Sequence, residues 1–210
     1  MRCEACGMEF AGSHECLAAR SLMMSEEMMP PPEGICPGHY FAMALRIVRW
    51  DGVAIRRTAN DPDALAYGAV FSGIAAAFIF LTTALHKMVT RDVATAGTIF
   101  WGLLLGLVFV CVYSGLVAMV QIGVAHFIAR AFLGGTGTLF GVMRPALLGW
   151  FVNCLTPIPV VGFPAAAIAW TAVLMKILEE VDGIRRMQAF LISAGINGVF
   201  LALVYLVARS

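Results

Sequence analysis

Residues 93–129, VATAGTIFWGLLLGLVFVCVYSGLVAMVQIGVAHFIA, contain no Asp, Glu, Lys or Arg at any of 37 consecutive positions. The apolar run extends from Thr95 to Phe132 with only His126 and Arg130 near its end. As a helix at ~1.5 Å per residue it measures about 57 Å, nearly twice the ~30 Å hydrocarbon thickness of a bilayer. One span cannot use all of it. The reading is a crossing over 98–121, then a course along the interface through His126 and Arg130, ending at Gly134-Gly135.

The whole chain agrees with this solvent. Of its 210 residues 60% are hydrophobic and 13% charged, with a mean hydropathy of +0.86. A soluble domain carries about 25% charged residues. Most of the surface therefore faces lipid. Charge is concentrated upstream: residues 1–63 hold six Arg, six Glu and three Asp, and the aqueous part ends near Asp61-Pro62-Asp63. The first forty residues are polar and rich in Cys, Pro and Met, without the apolar core of a signal peptide, so the N-terminal segment is expected to stay where it is made.

Five apolar segments are predicted. The first is 64–85, closed by Lys87, Arg91 and Asp92, and the second is the run above. The third, FGVMRPALLGWFVNCLTPIPVVGFP at 140–164, carries Pro145, Pro157, Pro159 and Pro164 and predicts a short, irregular helix. The fourth is brief, 165–178, and Glu179, Glu180 and Asp182 read as its solvated cap. The fifth covers 187–207. Eleven basic residues fall on the N-terminal side of such a topology and three on the other. By the positive-inside rule the N-terminus is cytoplasmic and the C-terminus outside.

Ahead of the spans, YFAMALRIVRWDGVAIRRTA at 40–59 places Arg46, Arg49, Arg56 and Arg57 within about 100° of a helical wheel, with Phe41, Ala44, Leu45, Val48 and Ile55 beside them. Asp51-Gly52 divides it into two pieces. Such a segment either lies on the membrane with its arginines toward headgroups or packs on the protein's own membrane domain.

The remaining motif is CEACGMEFAGSHEC at 3–16. Cys-x-x-Cys offers two thiolates on one turn, and Gly7 lets backbone amides approach the sulfurs. Zinc takes four N or S ligands, and the set read here is Cys3, Cys6, His14 and Cys16. Cys36 and His39, spaced as in a zinc ribbon, are the rival second pair across the Pro-rich linker 17–39. About sixteen residues cannot bury a stabilising core, so Zn2+ would hold this module folded. Cys111 and Cys154 read as buried apolar side chains.

The order of several motifs resembles the Yip family of five-span, Rab GTPase-interacting membrane proteins, in its prokaryotic form. Carrying the likeness are NDPDALAYGAVF at 60–71, AHFIARAFLGGTGTLFGVMRPALLGW at 125–150, IPVVG at 158–162 and LEEVDGIRRMQAFLI at 178–192. Residues 40–208 are covered. Asp182-Gly183 stands where His-Gly is frequent, and the loop after Gly135 lacks a common basic residue. The resemblance implies an all-α, five-span membrane domain; eukaryotic relatives bind prenylated GTPases and shape or traffic membranes, and prokaryotic relatives have no settled activity.

The architecture expected is thus an all-α polytopic membrane protein: a zinc-knuckle-like module at 1–16, the linker 17–39, an amphipathic interfacial segment 40–63 and a five-span domain 64–208. HExxH, GxSxG, paired intramembrane aspartates and a Walker loop are all missing from the sequence. The expected function is a non-enzymatic scaffold or partner-recruiting protein, with a small-solute or lipid transporter and a membrane-shaping factor as alternatives. Its expected surroundings are the bilayer and not nucleic acid; a cytoplasmic protein and a second copy of the chain are the partners left open.

Overall fold

The computed structural model describes residues 37–90, 96–159 and 161–209, all within one compact unit. The knuckle ligands Cys3, Cys6, His14 and Cys16, and Cys36 of the rival pair, lie outside the described residues. Those described are helical, with no strand among them. Their order is α1 (Pro37–Val48), α2 (Gly52–Asn60), α3 (Ala64–Thr90), α4 (Ala96–Leu133), α5 (Leu139–Gly149), a 3-10 segment (Trp150–Leu155), α6 (Gly162–Ile177), a π turn (Leu178–Asp182) and α7 (Arg186–Arg209). Four helices are long and apolar enough to cross a membrane, over Ala64–Leu85, Trp101–Leu133, Gly162–Asp182 and Arg186–Leu203.

The third apolar segment is shorter, Leu139–Leu155. Its helix runs through Pro145 and then tightens into the 3-10 segment. Eleven residues at ~1.5 Å and six at ~2.0 Å give a length of about 28 Å. The ends of this stretch are fixed by its neighbours. Thr136 N–H donates to the Asp182 carbonyl (3.0 Å), so α5 begins beside the end of the α6–π unit. At the other extreme Gly162 N–H donates to the Ile158 carbonyl (2.8 Å), where α6 begins. Residues 139–161 therefore travel the length of α6.

α5 is the centre of the bundle. Gly141, Val142, Pro145, Ala146, Leu147, Leu148 and Gly149 are all buried. Two glycines permit the close approach. A Cβ on Gly68 of α3 would lie 2.7 Å from the Leu147 Cβ, and one on Gly149 would lie 2.7 Å from Val173 Cγ1 of α6. In lipid, where helices gain little from hiding apolar surface, such contact is a main source of association.

α1 and α2 dock on this centre by their apolar faces. Tyr40, Met43, Ala44 and Ile47 are buried from α1, and Ala54, Ile55, Thr58 and Ala59 from α2, both at helical spacing. Of the two readings of 40–59, packing on the protein itself is the one seen. The break falls at Trp50-Asp51. Trp50 takes φ 65°, rare for a residue with a side chain, and its indole is 50% exposed. Asp51 Oδ1 accepts from Val53 N–H (3.0 Å) and Ala54 N–H (3.2 Å), starting α2 as an N-cap. Arg46 Nε donates to Asp51 Oδ2 (2.7 Å) and ties the corner shut.

α4 differs from its expected course. It is one helix to Leu133, and its last third does not leave along the interface: Ala118, Ile122, Ala125, His126 and Ala129 form a buried stripe against α7, α5 and the π turn. Small side chains on that stripe admit the neighbours. The helix stops at Gly134 (φ 72°), and Gly135 N–H donates to the Ala129 carbonyl (3.0 Å).

Candidate functional site

Polar side chains gather at two levels of the bundle. The first is the loop-rich end. His126 Nδ1 of α4 lies 3.0 Å from Oδ1 and 3.2 Å from Oδ2 of Asp182, and the two side chains are 7% and 0% exposed. Protonated at Nδ1, the imidazole donates to the carboxylate. Asp182 is therefore not the solvated cap that the acidic run suggested. It ends a π turn that tilts its side chain inward, and Gly183 (φ 69°) then reverses the chain. A buried carboxylate needs partners to offset desolvation, and the loop 134–138 supplies more. A Cβ on Gly137 would come within 2.5 Å of Asp182 Oδ1 and 2.8 Å of the Val181 carbonyl oxygen. Only glycine fits there.

Glu179 and Glu180 of the same run are also paired. Lys176 Nζ donates to Glu179 Oε2 (3.1 Å) and lies 2.7 Å from Glu180 Oε1, while Arg56 of α2 reaches Glu180 Oε2. Arg144 Nη1 donates to the Ala59 carbonyl (2.8 Å). Lys176 and Arg144 stand near span ends, where snorkelling toward headgroups would suffice. Instead each is tied to a protein partner: α2 lies over the end of α5 and supplies the Ala59 carbonyl to Arg144, and the π turn after α6 supplies Glu179 and Glu180 to Lys176. Tyr40 OH donates to Asp61 Oδ2 (2.8 Å), and burial plus this bond raises the phenol's pKa above the ordinary tyrosine range. His39 packs edge-on against Tyr40 at 5.2 Å. Burial and the Arg57 charge lower its pKa, partly opposed by Asp61. Among the described residues no group of three or more His, Cys, Asp or Glu is arranged to hold a metal.

The second level lies inside the apolar spans. Trp170 Nε1 donates to Gln121 Oε1 (3.0 Å), Trp150 Nε1 to Ser114 Oγ (3.2 Å), and Asn197 Nδ2 to the Ala167 carbonyl (2.9 Å) and Thr171 Oγ1 (2.8 Å). The two indoles meet edge to face, centroids 4.6 Å apart. Asn153, Thr156 and Asn197 stand out in the sequence as mid-depth polar groups, and all three line one small cavity here. Gln121 and the tryptophans were missed. Gln121 reads as a span end, and indole N–H groups do not register in hydropathy. The signal that could have found them is helical spacing, since Gln121 shares a face with Ala118, Ile122 and Ala125.

No protein-family model, curated protein or solved structure matches this chain. The functional reading therefore rests on the residues themselves. At the loop-rich end they join α2, the end of α4, the following loop, α5 and the π turn through charged or backbone partners. Such an arrangement is suited to holding a surface in one shape. Arg49 and Trp50 stand exposed at its outer corner.

Proposed function

We propose that this chain is a non-enzymatic multi-pass membrane scaffold of the Yip type, holding a rigid platform at one membrane face for a cytoplasmic protein. The observation that carries the reading is the buried His126–Asp182 pair, which spends two ionisable side chains on fixing loop 134–138 against the π turn. In this proposal residues 139–161 make the third of five crossings, supported by their course along α6; an odd number of crossings puts the termini on opposite faces, and the distribution of basic residues makes the N-terminus the cytoplasmic one. The zinc knuckle of Cys3, Cys6, His14 and Cys16 would then sit on the platform side, joined through the Pro-rich linker.

A photocrosslinking amino acid at Trp50, read in native membranes, tests the platform. The expected result is a discrete protein adduct from position 50, and only lipid adducts from the same group at Leu116, which is 58% exposed along α4. Lipid adducts alone at both positions would overturn the scaffold reading.

A further inference from the structure

α4 and α7 enclose a groove of about 640 Å³ whose lining is almost wholly apolar, including Val124, Ile128, Ile192, Ile196 and Leu203. Beside it is a cavity of about 190 Å³ with aromatic walls, among them Tyr113, Trp150, Phe163 and Trp170. Gln121 and Phe200 line both, so the groove and the cavity meet at these two side chains. The groove lies within the size range of lipid and cofactor sites.

Gln121 separates this place from an ordinary lipid-facing seam. It is 4% exposed. An indole N–H is only a donor, so the Gln121 atom 3.0 Å from Trp170 Nε1 must be the carbonyl oxygen. The amide nitrogen is then turned away from Trp170, and it has no hydrogen-bond partner among the described residues. Asn197, Asn153 and Trp150 each place their donors on protein acceptors nearby. An amide donor left over on a residue that is itself buried, at the head of an apolar groove, is placed to meet an acceptor there.

Depth narrows the chemistry. Gln121 bonds Trp170, which lies eight residues after Gly162 and twelve before Asp182, the ends of a candidate span, about 12 Å and about 18 Å along the axis. That is near the middle of a ~30 Å hydrocarbon layer. Phospholipid ester carbonyls stay at the headgroup boundary and do not reach it. A neutral lipid free to lie at mid-depth does.

We propose that the α4–α7 groove and its aromatic cavity bind a neutral lipid with a carbonyl-bearing ring and a long apolar chain, the chemistry of a prenylated quinone. The ring enters the cavity beside Trp150 and Trp170, a ring carbonyl accepts from Gln121 Nε2, and the chain lies along the groove. This is a site separate from the platform.

The test uses the full chain in nanodiscs, with 2-decyl-1,4-benzoquinone as probe and quenching of tryptophan emission as readout. Saturable quenching is expected, with decylbenzene, which has the chain but no carbonyl, binding at least tenfold more weakly. Gly195→Leu fills the groove, since a Cβ at Gly195 meets nothing within 4 Å; it should weaken the quinone at least tenfold at an unchanged melting temperature. Gln121→Leu should weaken it about fivefold to tenfold, the worth of one neutral hydrogen bond. Quenching that rises linearly without saturation would overturn the proposal. So would equal affinity for decylbenzene, which makes the groove an unselective lipid seam, or equal quinone affinity in a folded Gly195→Leu variant.

Discussion

Helix α5 buries seven of its eleven residues, whereas α4 buries none of the seventeen from Trp101 to Val117. Both are strongly apolar, so hydropathy cannot account for the contrast. Side-chain size does. α5 carries Gly141, Pro145, Ala146 and Gly149, and neighbours come close enough that an added Cβ at Gly149 would clash with Val173. The early part of α4 presents Trp101, Leu105, Phe109, Val112 and Leu116 outward, each more than half exposed. Large flexible chains mix well with acyl chains, while small residues let helices touch. The second half of α4 obeys the same rule, since three of its six buried residues are alanine.

The largest expected effect comes where a polar group enters the buried class. Asp182→Leu leaves His126 buried without its partner and should cost about 3 kcal/mol or more, measured by SDS or thermal unfolding of the purified protein. The double variant His126→Leu/Asp182→Leu should recover a good part of that loss. If the single variant unfolded like the wild type, the pair would not be what holds the loop-rich end together.

Next in size is the direct contrast between the helices. Leu148→Ala in α5 removes a fully buried side chain and should cost about 2–4 kcal/mol. Leu105→Ala in α4 should change stability by no more than about 0.5 kcal/mol. Equal costs would mean that the outer face of α4 is covered, as it would be by a second copy of the chain.

Much of the element pattern was legible because hydropathy and helix-stop chemistry are local. The first apolar stretch, 64–85, matches the span Ala64–Leu85 in α3, and Gly134 ends α4 where the Gly-Gly pair predicted. Four prolines signalled the broken third segment, and Asp51-Gly52 signalled the corner between α1 and α2. Polar partnerships were not legible. His126 and Asp182 are 56 positions apart, and Gln121 and Trp170 are 49 apart. Such pairs are made by helix packing, which depends on shape across the bundle. Glu179, Glu180 and Asp182 look alike in sequence, yet the π turn separates them: Asp182 goes inside, and the two glutamates stay partly exposed with basic partners.

A smaller loss than that of the buried core lies outside the spans, at the corner whose α1 side touches α5 through Ile47 and Gly149. Burial alone would raise the Asp51 carboxyl. The hydrogen bond from Arg46, the amides of Ala54 and Val53 and the Arg46 charge outweigh it, so its pKa in the folded protein lies below the ordinary aspartate value. A carboxylate depressed in this way stabilises the fold above its unfolded pKa of about 3.9, and the contribution is lost as pH falls through the lower folded value. Asp51→Asn keeps a capping oxygen but gives up the charge. It should be less stable than wild type by about 0.5–1 kcal/mol at pH 7, and that gap should shrink as the pH drops below 4. Thermal unfolding of both proteins from pH 7 to pH 3 measures it. A gap that stays constant would mean that the charge of Asp51 contributes nothing, and that the corner is held by α1 and α2 packing on α5 alone.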